Sequence, residues 1–190
     1  MFFKELVNKV RRCGRTSELI GHENRIEDPL LLQVWRFPFR NILDVGCGYG
    51  RLSSYARKLW PTAFLVSLDL SKQAVYWTKS LVGSTVLVAD GLNLPFRRGV
   101  FDLVICTQVI EHLERDKQGT LLSEFRRVLS PKGFLYLTSI MSKLPIPLAK
   151  GHIREFRDVQ EFRKVVGKSG FKVMTLMLRP IRFPHTSHVL

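Results

Sequence analysis

The sequence predicts an α/β protein whose sheet is mostly parallel and carries helices on both faces. Two observations support this fold class. Short apolar runs of strand character alternate with amphipathic stretches of helical period, and a glycine-rich turn joins the first apolar run of the sheet to a helical stretch. With 190 residues and 45% hydrophobic content, the chain can bury one substantial core, so we expect one globular unit.

The predicted elements follow in a regular order. Residues 2–12 have a helical pattern, and Pro29 lies in the first turn of a second helix, so residues 1–38 are expected to form a helical extension or cap before a main domain at 39–190. Strands are predicted at 40–45, 63–69, 85–90, 101–107, 133–140 and 171–178. Helices are predicted at 50–59, 72–82, 117–129 and 158–169, with Ser71 and Asp158 as N-caps.

The turn after the first strand is the most informative segment. It reads Asp44-Val-Gly46-Cys-Gly48-Tyr-Gly50, directly before a predicted helix. Glycine permits positive φ and removes the Cβ atoms that would keep a ligand from the backbone, and the helix N-terminus offers unpaired N–H groups. The turn is therefore predicted to bind a nucleotide-like ligand. Its D-x-G-x-G-x-G spacing differs from the G-x-G-x-x-G of a dinucleotide-binding turn.

Acidic residues follow the next two strands. Asp69 ends the second strand, where a carboxylate can accept both hydroxyls of a ribose, although NAD-binding folds place an acid similarly. Asp90 ends the third strand and precedes Gly91 and Leu92. Because the carboxyl ends of parallel strands meet at one edge of a sheet, these acids are predicted to line one crevice.

On this glycine spacing and these acids, the chain resembles the class I S-adenosylmethionine-dependent methyltransferases from about residue 40 to about residue 178. It is most similar to their small-molecule branch, the ubiquinone/menaquinone-biosynthesis-like group. The resemblance implies a Rossmann-like fold, S-adenosyl-L-methionine as cofactor, and a methyltransferase activity. The cofactor-binding residues that it implies are Asp44, Gly46, Cys47, Gly48, Tyr49, Gly50, Asp69, Leu70, Asp90, Gly91, Leu92, Thr107 and Gln108.

The acceptor side is predicted from two further segments that match the family. Glu111-His112-Leu resembles the E-H-L after strand four, and residues 151–156 resemble a G-H-x-R-x-F segment near the acceptor pocket. His112 is the candidate general base because imidazole titrates near neutrality, and Glu111, His152 and Arg154 are candidate substrate contacts. The alternative is structural: His112 orients a helix start, Glu111 caps or pairs, and His152 and Arg154 order their loop.

Another match is the helix-turn-strand segment Arg127-Val-Leu-Ser-Pro-Lys132-Gly133. Lys132 replaces the first glycine of the family's R-V-L-x-P-G-G pattern, so only Gly133 is expected to be free for positive φ. The family usually ends its sheet with a hairpin, but few residues follow 178. The last strand is therefore expected to be short or missing, with the exposed edge covered by a homodimer partner or by the tail at 185–190.

The composition does not decide which class of molecule accepts the methyl group. The net charge is +14, and from residue 114 onward 15 Lys and Arg face 6 Asp and Glu. A basic C-terminal part attracts RNA or another acidic ligand, although a solvated basic surface has the same composition. No metal site is predicted, and the three cysteines indicate reduced thiols in a cytoplasmic protein.

The function that these residues favour is methyl transfer to a small-molecule acceptor, at an oxygen, nitrogen or carbon atom. The alternatives are an RNA methyltransferase that uses the basic C-terminal part and a noncatalytic cofactor-binding partner subunit. An NAD-dependent oxidoreductase is disfavoured by the glycine spacing. No apolar run reaches the length needed to cross a bilayer.

Overall fold

The computed structural model describes residues 37–141 and 151–173, all within one compact unit. The predicted helices at 2–12 and from Pro29, residues 174–178 of the predicted last strand, and the tail at 185–190 lie outside the described residues. The division at residues 38 and 39 therefore stays a prediction. In the described ranges, no helix is both long and apolar enough to cross a membrane.

Five parallel strands form the sheet of the described part, in the order β3-β2-β1-β4-β5. They are β1 (Asn41–Val45), β2 (Phe64–Asp69), β3 (Thr85–Val88), β4 (Phe101–Thr107) and β5 (Leu129–Thr138). The chain adds strands on one side of β1 and then continues on its other side, so the strand order reverses between β1 and β4. This reversal places a ligand crevice at the carboxyl ends of those two strands, and the predicted fold class is confirmed.

Four helices connect or follow the strands of the described part: α1 (Arg51–Leu59), α2 (Lys72–Val82), α3 (Arg115–Val128) and α4 (Val159–Lys168). Right-handed crossovers place α1 and α2 on one face of the sheet and α3 on the other. Both predicted N-caps are confirmed, because Ser71 Oγ accepts from Ala74 N at 3.3 Å and Asp158 Oδ1 accepts from Glu161 N at 2.8 Å.

The start of β5 differs from the prediction. The strand was expected from residue 133, but Leu129 already pairs with Phe101, and the next pair, Leu103 with Phe134, is shifted in register. Gly133 has no positive φ; it is required by close packing instead, since a Cβ there would lie 2.8 Å from Leu129 Cδ2 and 3.1 Å from the Phe101 carbonyl oxygen. Residues 171–173 form no strand.

The core lies along β1 and β4, whose side chains are covered on both faces of the sheet. Ile42, Leu43 and Leu103 are completely buried, which explains why these strands are nearly continuous apolar runs in the sequence. Asp102 at the start of β4 has a local role: its Oδ2 accepts from the backbone N of Arg40 and of Asn41, both at 3.0 Å. This pairing fixes the entry into β1.

Candidate functional site

The loop between β1 and α1 has a left-handed backbone at its three glycines, with φ of 71° at Gly46, 51° at Gly48 and 81° at Gly50. Two of them are tightly packed. A Cβ on Gly46 would lie 2.2 Å from Val109 Cγ2, and one on Gly50 would lie 3.1 Å from Thr78 Cα. The loop is thus pressed against α2 on one side and the turn after β4 on the other, which only glycine allows.

Gly48 differs because the space above it is open. A Cβ at this position would meet no atom within 4 Å. The Gly48 N–H donates to Asp69 Oδ2 at 3.0 Å, and its carbonyl accepts from Thr78 Oγ1 at 2.9 Å, so the backbone is fixed while the space at its Cβ position is left open by the described residues. The side chain of the neighbouring Tyr49 is exposed. This open, rigid backbone surface fits the approach of a nucleoside-containing cofactor.

Asp69 connects the glycine loop to the next helix. Its Oδ2 accepts from Gly48 N, and its Oδ1 accepts from Ser71 N at 2.9 Å. Each oxygen keeps a further lone pair, and Leu70 beside it is 70% exposed. The carboxylate therefore lies at the loop and can still accept from ligand hydroxyls, as the sequence predicted for a ribose.

Asp44 lies deeper than the strand-end position suggests. It pairs with Ser67 within the sheet, two positions before Asp69, and is 1% exposed. Its Oδ2 accepts from the Ser53 hydroxyl, which also contacts Ser67 Oγ at 2.8 Å. Asp44 thus anchors the first turn of α1 beneath the loop, and a direct ligand contact stays a prediction. No pattern in the sequence indicates this serine pair.

The segment after β3 forms a fixed turn. Val88 pairs with Asp69, so Asp90 lies two residues beyond the end of β2 at the same edge. Asp90 is exposed, and its Oδ1 accepts from Leu92 N at 2.9 Å. Gly91 packs closely, because a Cβ there would lie 3.0 Å from Leu121 Cδ1 and 3.1 Å from Val45 Cγ1. The predicted adenine contacts are therefore on a preformed turn beside Asp69.

The end of β4 carries a strained residue. Gln108 has φ of 57°, and it is the single non-glycine residue with positive φ in the part of the chain that the structure describes. Its side chain is exposed, whereas Thr107 is half-buried and still pairs with Thr138 of β5. Left-handed backbone at a bulky residue persists only where its surroundings fix it, and such residues cluster at functional sites.

Glu111 follows in a short 3₁₀ turn, Ile110–His112, and is completely buried. Its Oε2 accepts from the Ser139 hydroxyl at 3.1 Å, whereas Oε1 has no hydrogen-bond partner among the described residues. Burial raises the pKa of Glu111, and hydrogen bonds and the nearby His152 and His112 rings offset the effect only in part. Such a group is costly unless a ligand or water satisfies it.

Two histidines lie beside this turn. His112 is exposed, and its Nδ1 is 2.8 Å from the Gly151 carbonyl oxygen. A carbonyl only accepts, so Nδ1 carries the hydrogen and Nε2 of the neutral ring has a free lone pair. His152 Nδ1 pairs with Glu155 Oε1 at 2.5 Å, and the two imidazole rings meet edge to face at 4.9 Å.

The loop at 151–157 is ordered by side-chain and backbone contacts. The His152–Glu155 pair fits the structural alternative, in which His152 orders this loop. Arg154 instead approaches Glu161 Oε1 at only 3.8 Å and is exposed. The backbone N–H groups of Ile153 and Arg154 both donate to the Glu111 carbonyl, at 2.9 and 3.0 Å, so this loop lies directly on the E-H-L turn.

Gln118 was not recognised from the sequence. It is completely buried in α3, and its Nε2 lies within 3.1 Å of three carbonyl oxygens, those of Ile110, Leu113 and Arg154. Its Oε1 accepts from Arg115, which also contacts Glu161. A glutamine at an internal helix position gives no sequence signal for such a role, because its partners come from distant segments.

The cysteines of the described part are unsuited to nucleophilic chemistry. Burial raises the pKa of Cys47 to about 12 and raises that of Cys106 as well. Both thiols stay protonated at neutral pH. Cys47 therefore contributes backbone and packing to the glycine loop.

The parallel sheet with its reversal at β1, the open glycine loop and the carboxylate of Asp69 define a class I S-adenosylmethionine-dependent methyltransferase. Residues 43–137, half of the chain, match the family described as "Methyltransferase domain". The chain belongs to this family, so the family and the cofactor that the sequence predicted are confirmed.

Individual proteins extend the comparison. The malonyl-[acyl-carrier protein] O-methyltransferase of Legionella pneumophila is 34% identical over 142 residues, which are 73% of this chain and 48% of that protein. The tRNA (carboxymethyluridine(34)-5-O)-methyltransferase of Arabidopsis thaliana is 35% identical over 98 residues, 51% of this chain and 23% of that protein. The chain thus spans about half or less of the length of these relatives.

The fold recurs in a solved structure of similar size. The S-adenosylmethionine-dependent methyltransferase of Mesorhizobium loti superposes with a TM-score of 0.62 over 78% of this chain and 82% of that chain, at 22% identity. At this identity, the likeness bears on the fold alone.

Proposed function

We propose that this protein transfers a methyl group from S-adenosyl-L-methionine to a small-molecule acceptor. The observation that carries the proposal is the uncovered backbone at Gly48 with the Asp69 carboxylate bonded to it. When bound, the cofactor supplies an activated methyl group, so the residues of the chain have to bind it, align the acceptor and exclude water.

The cofactor-binding roles divide along the crevice. We assign the ribose hydroxyls to Asp69 and the adenine amino group to Asp90, because these acids lie at adjacent strand ends with oxygen lone pairs to spare. Thr107 and Gln108 would lie beside the methionine part, at the end of β4. Asp44 would support the cofactor indirectly, because its hydrogen bond from Ser53 holds the first turn of α1 beneath the glycine loop.

His112 is proposed as the proton acceptor of the reaction. Its Nδ1 is held by the Gly151 carbonyl, so Nε2 is the basic nitrogen of an exposed, oriented imidazole. An acceptor that must lose a proton would benefit from such a base. His112→Gln is expected to lower kcat by about 10²–10⁴-fold while the affinity for S-adenosylhomocysteine is unchanged.

Calorimetry with S-adenosylhomocysteine and NAD tests the cofactor assignment. We expect S-adenosylhomocysteine to bind and NAD to fail, and Asp69→Ala to abolish the binding heat. Asp116→Ala is the matched control, since Asp116 is an exposed acid in the first turn of α3 and makes no hydrogen bond to the glycine loop through its side chain among the described residues. Binding of NAD instead, or full binding by Asp69→Ala, would refute the assignment.

The acceptor class is tested by following labelled methyl groups into cell-extract fractions. Extracts separated into lipid, RNA, protein and small-metabolite pools are incubated with the protein and labelled cofactor. Incorporation into the small-metabolite pool is expected. Incorporation into none of the pools would favour a noncatalytic cofactor-binding subunit.

RNA methylation is the second candidate, and a surface feature favours it. Arg163, Lys164, Lys168 and Lys172 are exposed and make no ion pair within residues 37–141 and 151–173. Basic clusters of this kind bind phosphate backbones with a strong salt dependence. Loss of RNA retention at moderate salt, together with no methyl incorporation into RNA, would eliminate this candidate.

A further inference from the structure

The Glu111 carboxyl is the group of the acceptor side that the fold leaves unexplained. It is completely buried, yet Oε1 has no hydrogen-bond partner and no cation forms an ion pair with it in the described part of the chain. A buried carboxyl in this state costs free energy in every folded molecule. Packing does not explain its presence, because the same volume could be filled by an apolar side chain.

The side chains around Glu111 are a carboxyl, a hydroxyl and the imidazole rings of His112 and His152. Glu155 is also buried and is paired with His152, while Ser139 donates its hydroxyl to Glu111 Oε2. Arg154 of the loop at 151–157 is exposed and approaches Glu161. An acceptor that carried a carboxylate would therefore place a second negative charge beside the buried Glu111, with which no arginine or lysine of the described residues forms an ion pair.

We propose that Glu111 is the group that recognises the acceptor, and that the acceptor is an amine bound as its ammonium ion. This inference rests on the proposed function and narrows it to nitrogen. An ammonium N–H would give Oε1 the donor that it lacks, and a charge-assisted bond in a buried site is among the strongest polar contacts. It would also neutralise the buried carboxylate.

The proton balance requires a second group, and His112 supplies it. The bound ammonium gives one proton to His112 Nε2, which leaves a lone pair on nitrogen. That lone pair forms the new nitrogen–carbon bond while the bond from the methyl carbon to sulfur breaks, and sulfur keeps the electron pair. Glu111 therefore governs acceptor binding, whereas His112 governs the rate.

A calorimetric comparison of three probes tests the inference. Benzylammonium, benzoate and benzyl alcohol share one skeleton and differ in charge, and each is titrated at millimolar concentration into the protein saturated with S-adenosylhomocysteine. We expect benzylammonium to bind at least about tenfold more tightly than benzoate. In Glu111→Gln the two affinities should become equal, because the amide carries no charge.

Glu114→Gln is the control, since Glu114 is exposed and its side chain makes no cap hydrogen bond. It should keep the wild-type preference. The inference would be overturned if benzoate bound with the same affinity as benzylammonium or if benzylammonium did not bind. It would also be overturned if Glu111→Gln kept the wild-type preference for benzylammonium. Failure of S-adenosylhomocysteine to bind would instead refute the proposed function.

Should Glu111→Gln not fold, nuclear Overhauser effects in the wild-type protein decide the matter. Contacts between the benzylammonium methylene and the Glu111 Cγ protons are expected, and contacts to other parts of the protein alone would overturn the inference.

Discussion

Alanine at Gly46 and at Gly48 should have different consequences, although both glycines have a left-handed backbone. At Gly46, the new Cβ would lie 2.2 Å from Val109 Cγ2. The left-handed conformation costs about 1–2 kcal/mol and the overlap about 1–3 kcal/mol, while alanine's restriction of the unfolded chain returns about 0.4–1 kcal/mol, so Gly46→Ala should lower the free energy of unfolding by about 1–5 kcal/mol. That is a large part of a typical domain's stability.

Gly48→Ala meets no atom within 4 Å. Its cost is the backbone term of about 1–2 kcal/mol, reduced by about 0.4–1 kcal/mol because alanine restricts the unfolded chain. The Cβ would, however, project into the opening above the loop. We therefore expect a small loss of stability together with a large loss of S-adenosylhomocysteine affinity.

Urea unfolding and calorimetry on the two variants separate these effects, and a double variant isolates the overlap. In Gly46→Ala/Val109→Ala the nearest atom to the new Cβ would be the Cβ of residue 109 at 3.6 Å, an ordinary contact. The double variant should thus be more stable than the sum of the single changes predicts. Equal costs at Gly46 and Gly48, or no recovery in the double variant, would refute this reasoning.

Three further changes test other parts of the structure. Burial raises the pKa of Glu111 above its ordinary value of 4.5, so the stabilising contribution of this carboxyl is present below pH 4.5 and is lost as pH rises through the folded-state pKa. Glu111→Gln should therefore be more stable than wild type at pH 7 but not at pH 4. Urea unfolding that shows the same difference at both pH values would contradict this. The pKa shift of Glu124 has the opposite sign, because the hydrogen bond from Arg127 lowers the pKa, so the stabilising contribution of Glu124 is present above pH 4.5 and is lost as pH falls through the lowered pKa. Glu124→Gln should therefore be less stable than wild type at pH 7, and the difference should be smaller in acid. Equal stability of the two proteins at pH 7 would argue against a stabilising Glu124–Arg127 pair. Gln118→Leu leaves buried carbonyl groups unpaired, so it should lower the free energy of unfolding by at least about 1–3 kcal/mol and speed amide hydrogen exchange at Ile153 and Arg154. Unchanged exchange would show that the loop at 151–157 is ordered by other contacts.

The carboxyl groups of the glycine-loop region show how far sequence patterns reach. Asp44 and Asp69 both follow apolar strand residues, and both were predicted to contact the ligand. In the sheet, the register of Asp44 with Ser67 buries it next to Ser53, whereas Asp69 lies beyond that pair and bonds the loop backbone. The alternation of apolar and polar residues predicts a strand, but it does not predict how deeply the end of that strand lies beneath a neighbouring helix.

The start of β5 illustrates the same limit. The glycine after Lys132 suggested a turn with positive φ, and the structure has instead a register shift in which Gly133 passes close to Leu129 and the Phe101 carbonyl. A turn residue was predictable from composition. The pairing with β4 that makes a side chain impossible there was not.

The sequence by itself determined the features that depend on neighbours along the chain. The left-handed glycines of the loop and the caps at Ser71 and Asp158 belong to this group, because glycine's freedom and a cap's reach extend over only a few residues. Tertiary structure alone decided the acceptor side. The isolation of Glu111 and the bonds of Gln118 depend on segments 28 to 36 residues away, such as Ser139 and the loop at Arg154. Local patterns contain no information about which distant segments meet, because that is settled by the packing of the whole core.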